Sequence, residues 1–163
     1  MYKYILAFFV VFCAFSVGLH QTITYAKDVE DQNASLKAQL LQITESQAEK
    51  IERLKYELVD DLAAKCETKD SKDPDGVIIF DSNNKPSLGA WQWQTASIQH
   101  YVKLFEDKEI SRSEAISLAV DHDKARELTK RVIFEDSKGV ENWFNCANKL
   151  NLRARIEIIK NLE

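Results

Sequence analysis

Lys65-Cys66-Glu67-Thr68, with the later stretch Asp81-Ser82-Asn83-Asn84-Lys85-Pro86-Ser87-Leu88-Gly89-Ala90-Trp91-Gln92-Trp93, decides how the chain reads. The first segment sets a cysteine and a glutamate where a long helix-forming run gives out. The second is a polar loop that leads into a Gly-x-x-Gln turn bearing tryptophans.

Upstream of Glu67, no Gly or Pro occurs from Lys27 to Asp73, and Leu36, Leu40, Ile43, Ile51, Leu54, Leu58 and Leu62 recur at steps of three and four, with Gln47 in one gap. This is helical spacing and predicts one helix from about Val29 to Cys66. The steps repeat closer to every eleven residues than every seven, so a coiled coil built on them would be nearly straight or slightly right-handed. Residues 27–59 therefore read as a helical stalk or self-association segment, with homodimerisation through this helix as one expectation, and residues 60–163 as the globular domain.

Residues 1–26 differ in kind. Lys3 precedes an apolar run from Ile5 to Leu19, about the length of a signal-peptide core and short for a membrane span of ~20 residues. Thr24-Tyr25-Ala26 offers a loose cleavage site, and an uncleaved signal anchor in contact with the membrane is the alternative. Both place the remainder outside the cytoplasm, whether secreted, periplasmic or membrane-anchored. Cys13 lies in the apolar run, which leaves Cys66 and Cys146 as a pair in an oxidising compartment. An even pair suggests a disulfide, with two buried thiols as the alternative. No His or third Cys accompanies them, so a tetrahedral zinc site is not expected, and neither is a cofactor.

Beyond Glu67, Asp70 to Gly76 reads as a loop, Val77-Ile78-Ile79-Phe80 as a short strand and Asp81 to Ser87 as turn-rich chain. The spacing Asp81-x-Asn83-x-Lys85 lacks the central Gly and closing Glu of an EF-hand, so Asp81 is assigned to Asx-turn chemistry. Helices follow: one from near Thr95, one capped by Ser111-x-x-Glu114, Ala125 to Phe134, Val140 to Leu150, and a closing helix from Arg153 to Leu162. Asp121-His122-Asp123 reads as a helix start. The fold class is thus mainly α, a helical domain with a small β-excursion.

Cys66-Glu67-Thr68, Ser87-x-Gly89-x-x-Gln92 and Trp143-Phe144-Asn145-Cys146 come in an order that resembles the lysozyme-like superfamily, especially soluble lytic transglycosylases and small secreted muramidases. That family closes a helix with a catalytic Glu in a Glu-Ser motif, followed by Gly-Leu-Met-Gln and Ala-Tyr-Asn motifs. Glu67, Gly89, Gln92 and Asn145 match; Thr68, Trp91 and Phe144 depart. The resemblance covers roughly residues 60–150 and implies an α+β lysozyme-like fold, with the β-excursion forming one wall of a sugar cleft.

It also implies that the partner is the glycan strand of peptidoglycan, cleaved between N-acetylmuramic acid and N-acetylglucosamine. Glu67 is then the general acid, since a helix end and partial burial both favour a protonated carboxyl. Gln92 and Asn145 supply amides for sugar hydroxyls and N-acetyl groups, Gly89 allows close backbone approach, and Ser87 caps a turn or bonds Glu67. Gln92 has a second reading as a turn-bridging amide. Of Trp91, Trp93, Trp143 and Tyr101, Trp91 is expected to stack on a sugar ring. A second carboxylate would come from Asp70, Asp73, Asp75 or Asp81, none of which a motif singles out. The expectation is therefore a single-Glu lytic transglycosylase. The competing class is a non-catalytic, membrane-anchored adaptor that binds glycan or protein through a lysozyme-like fold. Without residues 1–26 the chain carries 21 Lys and Arg against 26 Asp and Glu, and with no basic stripe it is not expected to bind nucleic acid.

Overall fold

The computed structural model describes the backbone of residues 2–81 and 84–163 and the side chains of residues 24, 25, 27–81 and 84–163. The apolar run with Lys3, Cys13 and His20, and Ser82 and Asn83 of the turn, lie outside the residues whose side chains are described. Helix α1 spans Tyr2–Leu62 and passes into a π-helical turn, Ala63–Glu67. A three-stranded antiparallel sheet follows, β1 (Ile78–Phe80), β2 (Pro86–Leu88) and β3 (Trp93–Gln94), in the order β1-β2-β3. Then come α2 (Thr95–Glu106), α3 (Arg112–Val120), α4 (His122–Glu135), a 3-10 turn (Gly139–Trp143), α5 (Phe144–Lys149) and α6 (Leu152–Lys160). The chain is mainly α with a small β-excursion.

The chain divides into two units, residues 1–47 and residues 48–163. In the first unit Leu36, Leu40, Leu41 and Ile43 are exposed. Among the described residues no helix is long and apolar enough to cross a membrane. The second unit starts earlier than the expected boundary at residue 60 because Leu58, Val59 and Leu62 are fully buried in its core and Ile51 and Leu54 pack against it. The apolar steps read from the sequence are therefore the core-facing stripe of α1 within this unit. On its flank, Arg126 grips Asp60 through two hydrogen bonds and lies 4.3 Å above the ring of Tyr56.

Local signals start and stop the helices downstream. Ser111 and Glu114 form a reciprocal capping box for α3. Asp121 caps α4 by accepting from Lys124 N–H, which bears out the helix-start reading of Asp121-His122-Asp123. Asp107 ends α2 in the left-handed conformation. β2 and β3 were not foreseen: their residues, Pro86-Ser87-Leu88 and Trp93-Gln94, are too few for a periodic signal, and pairing of β2 with β1 and of β3 with β2 decides them.

Gly89 sits between β2 and the turn with φ +71°, and a Cβ there would lie 2.0 Å from the carbonyl oxygen of Ala119. Its close approach is thus to α3 and not to a ligand, which corrects the substrate-facing role expected of it. Gly89→Ala should lower stability by about 3 kcal/mol through left-handed strain plus the clash, measured by urea denaturation. A loss too small to detect would mean the Ala119 backbone yields.

Candidate active site

The π-turn carries Glu67 as its last residue. Thr68 N–H closes the turn onto Ala63 C=O at 3.0 Å, an i to i+5 bond, and Thr68 Oγ1 lies 3.2 Å from the carbonyl oxygen of Ala90. Two ties hold this turn against α5. Cys66 and Cys146 form a disulfide with Cα atoms 5.8 Å apart, and Lys149 Nζ donates to Lys65 C=O at 3.5 Å. The even cysteine pair thus forms the expected bridge, and it brings Glu67 and Asn145, each the neighbour of one cysteine, to the same place.

That place is an open cleft of about 410 Å³, bordered by Glu67, Asp81, Ser87, Gln92, Gln94, Ser97, Asn142, Asn145, the aromatic residues Trp93, Trp143 and Phe144, and Glu141, which is paired with Arg153. Glu67 is raised from the ordinary carboxyl range to about 7, first by its burial and then by the negative charge of Asp81. Asp81 Oδ2 accepts from Ser87 Oγ at 2.5 Å and from Gln94 Nε2 at 2.6 Å. Its carboxylate is therefore bound across the sheet, and its backbone carbonyl accepts from Asn84 N–H in the turn; the Asx-turn reading of its side chain involves Asn83, which lies outside the described residues. Of the four candidate second carboxylates, Asp81 alone borders this cleft. Asp75 bonds His122 at 3.0 Å, and Asp70 lines a different cavity.

The sheet register explains the placement. Ser87 faces Ile79 on one side and Gln94 on the other, and directly opposed residues in an antiparallel pair share a face. Gln94 was missed in the sequence; its signal was the alternation Gln92-Trp93-Gln94, polar on either side of a buried tryptophan. Ser87 bonds Asp81, not Glu67.

Gln92 adopts φ +52° and turns its Nε2 back onto Gly89 C=O at 2.7 Å, the turn-bridging use. Its Oε1 is buried without a partner, although the residue borders the cleft. Trp91 does not border the cleft, which corrects its stacking role: it is 0% exposed, and its indole N–H donates to Val59 C=O at 2.8 Å. Trp93 and Trp143, packed edge to face at 4.9 Å, supply the cleft's buried aromatic floor. Phe144 is 56% exposed at the rim. Tyr101 stays in the core, bonded to Asp136 and Asn142.

Cys66, Glu67 and Cys146 place possible metal-ligand atoms within 4.8 Å of one another, but both sulfurs are taken by the disulfide. Two larger cavities exist, one of about 880 Å³ between α2, α3 and α4 and one of about 500 Å³ beside Trp91 and His122. Their charged groups include ion pairs such as Arg131 with Glu106 and Arg126 with Asp60, and neither holds a carboxyl raised like Glu67. Of the three, the small polar cleft is the one that holds a carboxyl raised toward neutrality.

No family model, curated protein or solved structure matches the chain.

The disulfide closes a loop between residues 80 apart. Replacing both cysteines by serine should remove about 4 kcal/mol of stability on the chain-entropy model, read by denaturant unfolding. A variant as stable as the parent would mean that packing around Cys146 holds the π-turn unaided.

Proposed function

We propose that the protein is a glycosidase of the peptidoglycan-cleaving, lysozyme-like kind, cutting between N-acetylmuramic acid and N-acetylglucosamine outside the cytoplasm. One observation carries the reading: a glutamic acid held to about 7 at the end of a helical turn faces an aspartate across a polar cleft. Glycoside cleavage needs an acid that is still protonated near neutrality beside a carboxylate that answers the positive charge growing on the sugar. The order of the motifs Glu67-Thr68, Gly89-x-x-Gln92 and Phe144-Asn145 supports the family, and the disulfide supports an oxidising compartment. Exposed Leu36, Leu40 and Ile43 support self-association of α1.

In this reading Glu67 gives its proton to the glycosidic oxygen, and the carboxylate that remains then takes a proton from the attacking hydroxyl. Asp81 in the cleft favours water as the attacking group over the single-Glu lytic route that the sequence suggested. Ser87 and Gln94 hold its Oδ2 and fix the carboxylate at the cleft. Product analysis separates the two routes: reducing ends mean water entered, and anhydro-muropeptides mean the sugar's own hydroxyl attacked.

Glu67→Gln should lower cleavage of purified cell wall by ~10²–10⁴, and retained activity would end the enzyme reading. The wild-type rate should fall as pH rises through about 7, because the acid loses its proton there. The sign of the stability effect follows from the same proton. Unfolded Glu titrates at about 4.3, so the folded state's hold on the proton favours folding fully below that pH and is lost as pH rises through 7. Glu67→Gln removes a carboxylate that is unfavourably buried above pH 7 and should not lower the melting temperature there.

Asp81→Asn removes the charge that helps hold Glu67 up, so the alkaline limb of the rate profile should move to lower pH. A limb that stays in place would mean burial alone sets the acid. On the two-carboxylate route the same variant also lowers the rate below the limb.

A further inference from the structure

The disulfide that ties the π-turn to α5 has two unequal ends. Cys146 is buried in the core together with Trp143 and Ala147 of the same stretch, whereas Cys66 is partly exposed and follows the exposed Ala64 and Lys65. Cys66 Sγ, Cys146 Sγ and a Glu67 carboxyl oxygen lie within 4.8 Å of one another, so the bond runs beside the acid itself. The second tie on this side is weaker: Lys149 Nζ reaches Lys65 C=O at 3.5 Å on the surface. On the far side Thr68 is buried, with its N–H on Ala63 C=O and its hydroxyl 3.2 Å from Ala90 C=O. The hydrogen bonds of the three tryptophans, Trp91 to Val59, Trp93 to Thr129 and Trp143 to Trp91, do not pass through the disulfide.

Opening the bond replaces one covalent contact by two thiols that need non-bonded separation. Cys146 has no room to recede, because its surroundings are packed at core density, so the displacement falls on Cys66. Thr68 stays anchored, and Glu67 lies between the two. Thiol–disulfide exchange selects the same end, since the attacking thiolate must reach a sulfur and Cys66 is the exposed partner. We propose that Cys66–Cys146 is a thiol-exchange site that locks the acid: a dithiol reductant opens it at Cys66 and withdraws Glu67 from the cleft, and reoxidation returns it. In the exchange, one thiolate of the dithiol bonds to Cys66 Sγ as Cys146 Sγ leaves and takes up a proton. The second thiol then displaces Cys66, which takes up the other proton, and the dithiol departs as a disulfide with two electrons fewer. The effect on cleavage rests on the glycosidase reading, and the lock itself does not.

The test uses the full chain, oxidised and then reduced with dithiothreitol without denaturant, with alkylation and mass spectrometry reading the state of Cys66 and Cys146. Amide hydrogen exchange followed by NMR should quicken about tenfold or more in the turn Ala63–Glu67, while the indole N–H groups of Trp91, Trp93 and Trp143 keep their protection. A turn as protected after reduction as before overturns the proposal. Loss of the indole protection overturns it too, because the bond is then a staple of the whole domain, and so does a bond that dithiothreitol leaves closed. Cleavage of purified cell wall gives a second arm. It should fall about 10²-fold on reduction, the cost of misplacing a catalytic group by ~1 Å, and return with oxidised glutathione. A reduced form that cuts as fast as the oxidised one overturns the lock. If neither form cuts, the glycosidase reading fails by itself, and exchange in the π-turn still decides whether the disulfide governs the position of Glu67.

Discussion

The indole N–H of Trp91 donates to Val59 C=O inside a core from which both residues exclude water completely, and the placement of the cleft depends on that bond. A buried indole without an acceptor would be costly, so the turn after Gly89 is held at one height against α1. The carbonyl of Trp91 in turn accepts from Trp143 Nε1 at 2.8 Å, which carries the constraint to the 3-10 turn before Phe144 and Asn145. Trp93 completes the set by donating to Thr129 Oγ1, and that hydroxyl donates to Ala125 C=O within α4. Three tryptophans thus join α1, the sheet, α4 and the 3-10 turn by hydrogen bonds as well as by packing. Glu67 and Asp81 face each other because the elements that carry them are fixed to this frame.

The same frame explains which parts of the fold were legible in the sequence. Helix α1, the Ser111-Glu114 box, the Asp121 cap and the closing helix α6 are set by local spacing and capping, and a single chain displays such signals directly. The disulfide was legible from cysteine counting. The cleft was legible only in part. Glu67 and Asn145 border it as expected, whereas Trp91 was misplaced because composition cannot tell a tryptophan that stacks on a ligand from one whose N–H closes a core. The place of Asp81 in the cleft was hidden for a related reason. A turn-rich local sequence explains an aspartate adequately, and only the pairing of β2 with β1 and β3 brings Ser87 and Gln94 to its carboxylate. Long-range register is the information that local patterns lack.

Ending α1 in a π-turn has a chemical consequence. The wider turn closes through Thr68 N–H, and Thr68 is itself buried with its hydroxyl near Ala63 and Ala90 carbonyls. The chain direction is therefore fixed one residue past Glu67, while the disulfide fixes it one residue before. The glutamate's backbone is thus held on both sides by neighbours that do not titrate. π-Helical turns recur at functional sites, and here the turn sits where α1 ends and delivers Glu67 to the cleft.

Clamping also separates the roles of the two carboxyls. Among the described residues Glu67 receives no hydrogen bond that would favour its anion, and burial and the charge of Asp81 favour its neutral form. Asp81 receives two donors, Ser87 on β2 and Gln94 on β3. If those donors were aimed at Glu67 instead, burial would be offset and the acid would lose its proton well below neutrality. The asymmetry is therefore built by the register of a sheet that is three strands wide and at most three residues long. A one-residue slip of β2 would turn Ser87 toward the core and Leu88 toward the cleft, and it would remove a donor from Asp81 as it placed leucine beside the acid. Gly89, immediately after β2 and packed on Ala119 with no room for a side chain, stands against that slip. The glycine that the sequence suggested for contact with a sugar thus serves the site from behind, by holding the strand that holds Asp81.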